Sequence, residues 1–470
     1  MLFECVGCSQ VTESERLAPA CRKCGGALLI THRAAPSISR SELESLPPGV
    51  WRYHRFLPPL PPEGGVTLGE GGTPLLHAER LGRVLGLRSL LIKDETRNPT
   101  GSFLDRGTTV LVSLARARAV KECSCDTTGN LGASLAAYCA KAGIRASIHV
   151  RPDTDQGKLY QMLAYGAELA TGPRQRRDEG TLEVSAANPF LLEGEKTTGF
   201  EIVQELGWKA PDVMIVPVGT GGHLSMIKRS MIELGEAGLE GDSGCRLVGV
   251  QLKRPATTGG GQPAAGFPLA ELAESEPFFR KEAAKAIEES GGFSVSTTPE
   301  DTIAATGLLA KTEGIFAEPS AASVVAGLIK GARSGEIGSS DVVVCVITGA
   351  GLKDTKAVSR IAKEARRIGP SATYMSPSAK IGATKLAILR LLKRPSYAYE
   401  IWRTLRADRG ISTASVYQHL LELEGFSMIR KRGALVSGGR ERIIYELTKK
   451  GSDYLRIAGR LEMAERVRPP

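Results

Sequence analysis

The sequence predicts an α/β protein with a large central body, a short cysteine-rich segment before it and a basic domain after it. In the body, near-continuous apolar runs such as 146–150, 213–218 and 342–347 alternate with helical stretches. This alternation is typical of parallel strands covered by helices on both faces. A chain of 470 residues is long enough for about three such domains.

The charge of the chain is concentrated at its C-terminal end. The net charge is +10, and residues 376–470 hold 19 Lys and Arg against 9 Asp and Glu, so the rest of the chain is neutral. A basic domain on a neutral body suggests a polyanionic partner. No apolar run is long enough to cross a membrane and no signal-peptide pattern opens the chain, so we expect a cytoplasmic protein.

Two C-x2-C pairs stand twelve residues apart near the N-terminus: Cys5, Cys8, Cys21 and Cys24. Four thiolates at this spacing suit tetrahedral zinc, and a segment of about thirty residues needs such a staple to fold. We therefore expect a structural zinc site in residues 1–32, with reduced surface thiols or a lost metal as the alternatives. The other five cysteines lie in apolar contexts and are interpreted as small core residues: Cys123, Cys125, Cys139, Cys245 and Cys345.

Residues 33–62, rich in Pro, Ser and Arg, are interpreted as a connector, and the body is assigned to residues 50–362. Glycine-containing loops that follow apolar runs are expected to carry its chemistry, because open α/β sheets bind ligands at the carboxyl ends of their strands. A helix that begins after such a loop offers unpaired N–H groups and partial positive charge to an anion. The loops are NPTGSFL at 98–104, TTGNLGAS at 127–134, GTGGH at 219–223 and TGAGLKD at 348–354.

These loops, together with GEGGTP at 69–74 and EPSA at 318–321, resemble the threonine synthase family across the whole body. The resemblance implies the two-lobed fold type II architecture of pyridoxal phosphate enzymes. It also implies that Asn130 contacts the cofactor ring hydroxyl and that Thr348 contacts the pyridine nitrogen. The cofactor phosphate would be held by Gly219, Thr220, Gly221, Gly222 and His223. The carboxylate of the substrate or ligand would be held by Ser102, Thr127, Thr128, Gly129 and Leu131.

Two of the departures from the family pattern remove a charged side chain. Leu104 replaces the lysine that forms the Schiff base, and Leu191 replaces the arginine that binds the substrate phosphate. A leucine cannot form an imine or move a proton, so we expect no catalytic residue at position 104. The lost arginine–phosphate pair is worth ~1.5–3 kcal/mol or more. Lys93 is the nearest lysine that could act as a substitute base. The alternative, a sequencing or engineering artefact at Leu104, would not explain Leu191.

Residues 363–379 are interpreted as a linker and residues 380–470 as a winged helix-turn-helix domain. Apolar spacing predicts three helices, near 381–392, after Ser396 and from Ser412, followed by two strands with a basic tip. The segments SYAYE at 396–400, SVYQHLLELEG at 415–425 and YELTKKG at 445–451 resemble the PadR family. This resemblance favours duplex DNA as the partner, with a protein-binding module as the alternative.

The predicted DNA contacts lie on the third helix and on the wing: Ser412, Thr413, Ser415, Tyr417, Gln418, His419, Arg430, Arg432 and Arg440. Phosphate neutralisation by the wing arginines would supply most of the sequence-independent affinity. An apolar face after Lys450 predicts a homodimer.

Two functions of different class follow. In the first, the protein is a transcription regulator whose threonine-synthase-like body has retired from catalysis and senses an amino-acid-like or cofactor-related ligand. Pyridoxal phosphate, if it binds, would then be held without a covalent link. In the second, the protein is a working pyridoxal phosphate enzyme, a threonine synthase or a relative, with a regulatory DNA-binding tail. Leu104 favours the first function.

Overall fold

The structure of the protein is a computed structural model. It describes the following residues: 1–17, 20–31, 36–59, 64–127, 129–151, 154–171, 180–239, 244–252, 278–357, 361, 382–425, 428–437 and 440–455. The predicted linker, 363–379, lies outside them. The chain divides into two compact units, Met1–Glu364 and Ala365–Pro470.

A small antiparallel sheet forms the N-terminal segment. Its central strand, Leu2–Cys5, pairs with Val11–Glu13 on one side and Leu28–Ile30 on the other. Phe3 is fully buried, and its ring meets Phe190 edge-on with the centroids 6.0 Å apart. The cysteine-rich segment is therefore packed against the body.

The described part of residues 33–62 is more ordered than the connector predicted from its composition. A helix, Arg40–Ser45, begins after Ser39, which forms a capping box with Glu42. A 3-10 helix, Val50–Phe56, follows and buries Tyr53 against the body. The prediction failed because a capping box and a few buried apolar residues outweigh the Pro and Ser content.

The body contains the two parallel sheets that the sequence predicts. In the larger sheet all neighbours run parallel except the edge strand Leu75–His77. Its strands, in spatial order, are Phe293–Thr297, Arg246–Leu252, Val213–Pro217, Val342–Ile347, Ser89–Asp94 and Leu75–His77. The smaller sheet is wholly parallel, in the order Glu168–Ala170, Arg145–Val150, Glu122–Thr127 and Thr181–Val184.

Helices cover both sheets, and apolar side chains between the layers form the core. The described helices of the body are Glu79–Leu85, Leu104–Ala117, Asn130–Ala142, Gln156–Ala164, Pro189–Glu195, Thr197–Glu205, Gly222–Glu236, Arg280–Glu289, Pro299–Glu313 and Pro319–Ser334. Short 3-10 helices lie at Glu95–Arg97 and Gly351–Lys353. All five cysteines assigned to the core are buried, as predicted.

The C-terminal unit has the predicted order of three helices and two strands. The helices are Ala383–Leu391, Ala398–Arg409 and Thr413–Gly425, and the strands Ile429–Ser437 and Arg440–Leu447 pair antiparallel. A two-residue strand, Ser396–Tyr397, extends the sheet and was not predicted. Residues 449–455 begin a further helix. Tyr454 and Leu455 of the apolar face predicted to form the dimer pack against the core of their own unit, and the rest of that face, Ile457, Ala458, Leu461 and Met463, lies outside the described residues.

Candidate ligand site, metal centre and nucleic-acid interface

The loop that holds Leu104 is tied by backbone hydrogen bonds to the loop after the neighbouring strand of the larger sheet. Phe103 N donates to Thr348 O at 3.0 Å, and Ala350 N donates to Gly101 O at 2.9 Å. The two strands before these loops are adjacent and parallel, so their carboxyl ends lie side by side. The fold thus brings position 104 next to the residue expected to contact the pyridine nitrogen.

The glycine-rich loop 219–223 follows the next strand of the same sheet and opens a helix. Gly221 has a φ of +90°, and a Cβ there would lie 2.6 Å from Phe279 O, so this position requires glycine. The helix has no side-chain cap. Gly222 N donates to Thr220 Oγ1 at 3.3 Å, and the following N–H groups at the helix start suit an anion such as a phosphate.

His223 belongs to this loop as a neutral ring. It is buried, its ring stacks on Phe103 with the centroids 4.2 Å apart, and its Nε2 lies 3.2 Å from Thr198 Oγ1. Burial lowers the pKa of His223 to about 3, so the ring is uncharged at neutral pH. His223 therefore offers a phosphate its backbone N–H and no positive charge.

The loop expected to hold a carboxylate precedes a helix of the smaller sheet. Thr127 Oγ1 accepts hydrogen bonds from Gly129 N at 2.9 Å and from Gly132 N at 3.4 Å, which fixes the turn. The helix has no side-chain cap, and no acceptor from the described residues faces the N–H groups of Asn130 and Leu131. These two donors suit a carboxylate.

Position 104 offers no group that reacts with a cofactor. Leu104 is half-buried at the first turn of its helix and packs against the largest apolar cluster of the body. Ser102, also expected to contact the ligand, is fully buried, and its Oγ accepts from Leu104 N at 3.4 Å. Thr128, another of the expected ligand contacts, lies outside the described residues.

Lys93 is held away from the role of substitute base. Its Nζ forms ion pairs with Glu201, at 2.8 Å, and with Glu205, and it donates to Thr73 O at 2.6 Å. Glu201 also pairs with the fully buried Arg106. Because the Lys93 ammonium is fully buried and held by these partners, withdrawing it would break both of its ion pairs and leave Glu201 with Arg106 alone.

A cluster of polar side chains joins the two lobes beside the carboxylate loop. Asn130 Nδ2 donates to Glu318 Oε2 at 2.8 Å, and Lys158 Nζ lies 3.2 Å from Glu318 Oε1. The stem of Lys158 crosses Gly129, where a Cβ would lie 2.1 Å from the Lys158 Cδ. Sequence reasoning missed Lys158, because a lysine in the first turn of a helix usually marks a solvated face.

These residues fit pyridoxal phosphate without a covalent link. Asn130 Oδ1 is buried and has no hydrogen-bond partner in the described part of the chain, which suits contact with a ring hydroxyl. The loop at 219–223 suits the phosphate, and the Thr348 side chain is half-exposed at the same strand ends. Leu104 is the position that does not fit the cofactor's covalent chemistry.

Leu191 lies in the apolar core. Its side chain is fully buried in the helix Pro189–Glu195. Asn188 caps this helix and donates through Nδ2 to Leu17 O at 2.8 Å, and Phe190 packs on Phe3. The segment that supplies a phosphate-binding arginine in the resembled family here supports the cysteine-rich segment.

The four N-terminal cysteines converge on one point. Their sulfurs all lie within 4.8 Å of one another, with Cys5 to Cys24 at 3.4 Å and Cys8 to Cys21 at 3.6 Å. Tetrahedral zinc with Zn–S bonds of about 2.3 Å places its sulfurs about 3.8 Å apart. The cluster therefore fits a metal ion bound by four thiolates, with no coordination position left for water.

The third helix of the C-terminal unit exposes part of the predicted recognition surface. Ser412, Tyr417 and Gln418 are exposed, while Thr413, Ser415 and His419 are half-buried. Ser412 Oγ accepts from Ser415 N at 3.2 Å and so caps the helix. Gln418 Nε2 donates to Glu422 Oε1 at 3.3 Å, and His419 Nδ1 lies 3.7 Å from Glu422 Oε2.

The wing carries its arginines on two antiparallel strands. Arg430 and Arg432 are exposed and face Glu446, at 2.7 Å and 3.6 Å. Arg440 begins the second strand, and its side chain is not among those described. The Arg442 guanidinium lies 5.1 Å from the Tyr399 ring centroid, which ties the strand to the second helix. Exposed ion pairs of this kind are weak, so Glu446 does not hold Arg430 and Arg432 tightly.

Comparison with known proteins divides the chain in the same way. Residues 66–349 match the family described as pyridoxal-phosphate dependent enzyme, and residues 386–457 match the transcriptional regulator PadR-like family. The threonine synthase of Methanocaldococcus jannaschii is 35% identical over 394 residues, covering 78% of this chain and 96% of that protein. The threonine synthase of Methanosarcina acetivorans is 35% identical over 386 residues, covering 77% and 94%. None of the described helices is long and apolar enough to span a membrane.

Proposed function

Because the chain belongs to the pyridoxal-phosphate dependent enzyme family, with threonine synthases as relatives, and carries a PadR-like domain, we propose that it is a DNA-binding transcription regulator. Its threonine-synthase-like body has lost covalent catalysis and binds an amino acid or a cofactor-related ligand. The protein works in the compartment that holds its DNA, which we take to be the cytoplasm.

Leu104 is the observation that carries this proposal. Around it the loops at 98–104, 219–223 and 348–354 lie together at the carboxyl ends of neighbouring strands, where a ligand would bind, and the position that would react bears a hydrocarbon side chain. Covalent catalysis requires a nucleophilic amine at that point. Lys93 cannot supply it without breaking a buried ion network. A site that keeps its binding groups and lacks its reacting group suits a sensor.

The residues of the body still define what the site would hold. Gly219, Thr220, Gly221 and Gly222 would bind a phosphate, Asn130 a ring hydroxyl and Thr348 a ring nitrogen. Pyridoxal phosphate supplies an electron sink for carbanions when it is bound and linked. Without a lysine at position 104, this chain would bind it only as a ligand. Zinc at the four N-terminal cysteines would be structural.

The C-terminal unit would bind the DNA. Its third helix presents Tyr417 and Gln418 to solvent, and the wing presents Arg430 and Arg432. A helix in the major groove with a wing on the backbone is the docking geometry of this domain class. We propose that it binds duplex DNA as a homodimer.

A second candidate function is favoured by a specific observation. The chain covers 96% of the Methanocaldococcus jannaschii threonine synthase, so no large part of that enzyme is missing. In this alternative the protein forms threonine from O-phosphohomoserine and the tail regulates its own gene. The alternative requires a lysine other than one at position 104 to carry the cofactor.

One experiment separates the two functions. Visible absorption spectra are recorded for the purified wild type and for Leu104→Lys, each with added pyridoxal phosphate, and threonine formation is assayed in parallel. The proposal expects no lysine-linked cofactor absorbance in the wild type and a new absorbance in Leu104→Lys with little activity, because Leu191 still replaces the arginine. A reducible cofactor adduct on a wild-type lysine, together with turnover, would establish the enzyme.

A further inference from the structure

The Lys158–Glu318 ion pair is buried against residues Gly129 and Asn130 of the carboxylate loop. The Lys158 side chain is 7% exposed and that of Glu318 is 3% exposed, with Nζ and Oε1 3.2 Å apart. The stem of Lys158 lies on Gly129, and Asn130 Nδ2 donates to the other oxygen of Glu318 at 2.8 Å. A positive and a negative group therefore stand together beside the two backbone donors of Asn130 and Leu131.

With Leu104 in place of a lysine, the amino group of a bound ligand needs a different interaction partner in this site. Where a lysine carries an aldehyde cofactor, the amino group of an incoming amino acid is consumed as it becomes bonded to that cofactor. With Leu104 no such link is prepared, and at neutral pH the amino group stays an ammonium ion. A desolvated ammonium requires a carboxylate partner, and Glu318 is a buried carboxylate within hydrogen-bond reach of the loop.

We infer that the body takes a free α-amino acid as its zwitterion, with the ammonium on Glu318 and the carboxylate on Lys158 and the N–H groups of Asn130 and Leu131. The ligand separates the Lys158–Glu318 pair and pairs with each partner. This inference rests on the proposed function in so far as the body is a binding site and not a catalyst.

The exchange of partners explains why a zwitterion would be selected. Opening a buried ion pair is unfavourable if either charge is left alone. An α-amino acid compensates both charges at once, because it inserts one charge of each sign. A hydroxy acid offers Glu318 no ammonium in place of Lys158, and an amine without a carboxylate offers Lys158 no anion in place of Glu318. Each such analogue should bind about a hundredfold more weakly, or worse.

The test is calorimetric titration of the full-length chain, without added pyridoxal phosphate, by each of the twenty proteinogenic L-amino acids. The tightest binder is then compared with its 2-hydroxy acid and with its decarboxylated amine. The double variant Lys158→Met/Glu318→Gln removes both buried charges together, so neither is left unpaired in the folded protein. Lys285→Met, on an exposed lysine of the helix Arg280–Glu289, is the matched control.

We expect at least one amino acid to bind, both analogues to bind about a hundredfold more weakly, the double variant to lose binding, and Lys285→Met to bind as the wild type does. Binding of the hydroxy acid or amine as tightly as the amino acid would overturn the inference. So would full binding by the double variant or no binding at all. Mobility shift of duplex DNA by the same preparation tests the proposed function separately: DNA binding without amino acid binding ends the inference and leaves the regulator.

Discussion

Glu195 is a buried carboxyl group without a partner. It ends the helix Pro189–Glu195, is 3% exposed, and forms no hydrogen bond or ion pair with any described residue. The adjacent Lys196, by contrast, forms ion pairs with Glu193 at 2.5 Å and with Glu233 at 2.9 Å. Burial alone raises the pKa of the Glu195 carboxyl from its ordinary value of 4.5 to about 8.

This pKa makes the stability of the body depend on pH. The folded state binds the proton more tightly than the unfolded state does, so the stabilising contribution is complete below pH 4.5 and is lost as pH rises through about 8. Each pKa unit corresponds to about 1.4 kcal/mol. Relative to the protein with Glu195 protonated, the free energy of unfolding of the wild type should therefore be lower by under about 1 kcal/mol at pH 5, by about 3 kcal/mol at pH 7 and by about 5 kcal/mol at pH 9.

The substitution Glu195→Gln removes this loss, because an amide is neutral at every pH. The difference in the free energy of unfolding between variant and wild type should grow by about 2 kcal/mol from pH 5 to pH 7 and further by pH 9, in favour of the variant. Urea unfolding at a series of pH values, followed by tryptophan fluorescence, measures the difference. Glu289→Gln, at an exposed glutamate, is the control. A difference between Glu195→Gln and wild type that does not change with pH would refute the reasoning.

Three further predictions concern the metal and the DNA. Cys21→Ser should release zinc and loosen the N-terminal segment, measured by metal analysis and limited proteolysis, whereas finding no zinc in wild type purified without chelators would contradict the site. Replacing Arg430 and Arg432 with alanine should lower the affinity for all DNA sequences alike and flatten its salt dependence. Gln418→Ala should instead change the preference among sequences, measured by a binding-site selection. If the arginine variant and the Gln418 variant changed sequence preference equally, these roles would be wrong. Residues 376–470, expressed alone, should bind duplex DNA as a dimer with half-sites about one helical turn apart, and no salt-dependent mobility shift would mean a protein-interaction module.

The periodic and glycine-rich features of the chain were predictable from its sequence. The strand Val342–Ile347 lies where its apolar run predicts, and the loops at 127–131 and 219–223 open helices as their glycines indicate. The C-x2-C spacing likewise predicted the convergence of Cys5 and Cys24. Each of these signals is local, because it depends on residues within one strand, one turn or one knuckle.

The parts that could not be predicted depend on contacts between distant segments. Lys158 reaches Glu318 across 160 positions of the chain, and Lys93 reaches Glu201 across 108, so neither pair leaves a pattern in its own surroundings. The helix Arg40–Ser45 was missed for a different reason, since its Ser39–Glu42 capping box lies within a Pro-rich and Ser-rich stretch. For this reason the sequence offered Lys93 as a substitute base, although in the fold its amine is already paired with Glu201.

Leu191 and Glu195 bear on the proposal that the body has no catalytic role. The two residues lie four apart on one helix, so side chains at these positions share a face. Burial alone raises the pKa of the Glu195 carboxyl to about 8, and the aliphatic Leu191 side chain offers that carboxyl no positive charge. Leu191 is now fully enclosed by core that also packs against Leu104. A lysine restored at position 104 would therefore return a reacting group to a site in which position 191 still carries a fully buried leucine.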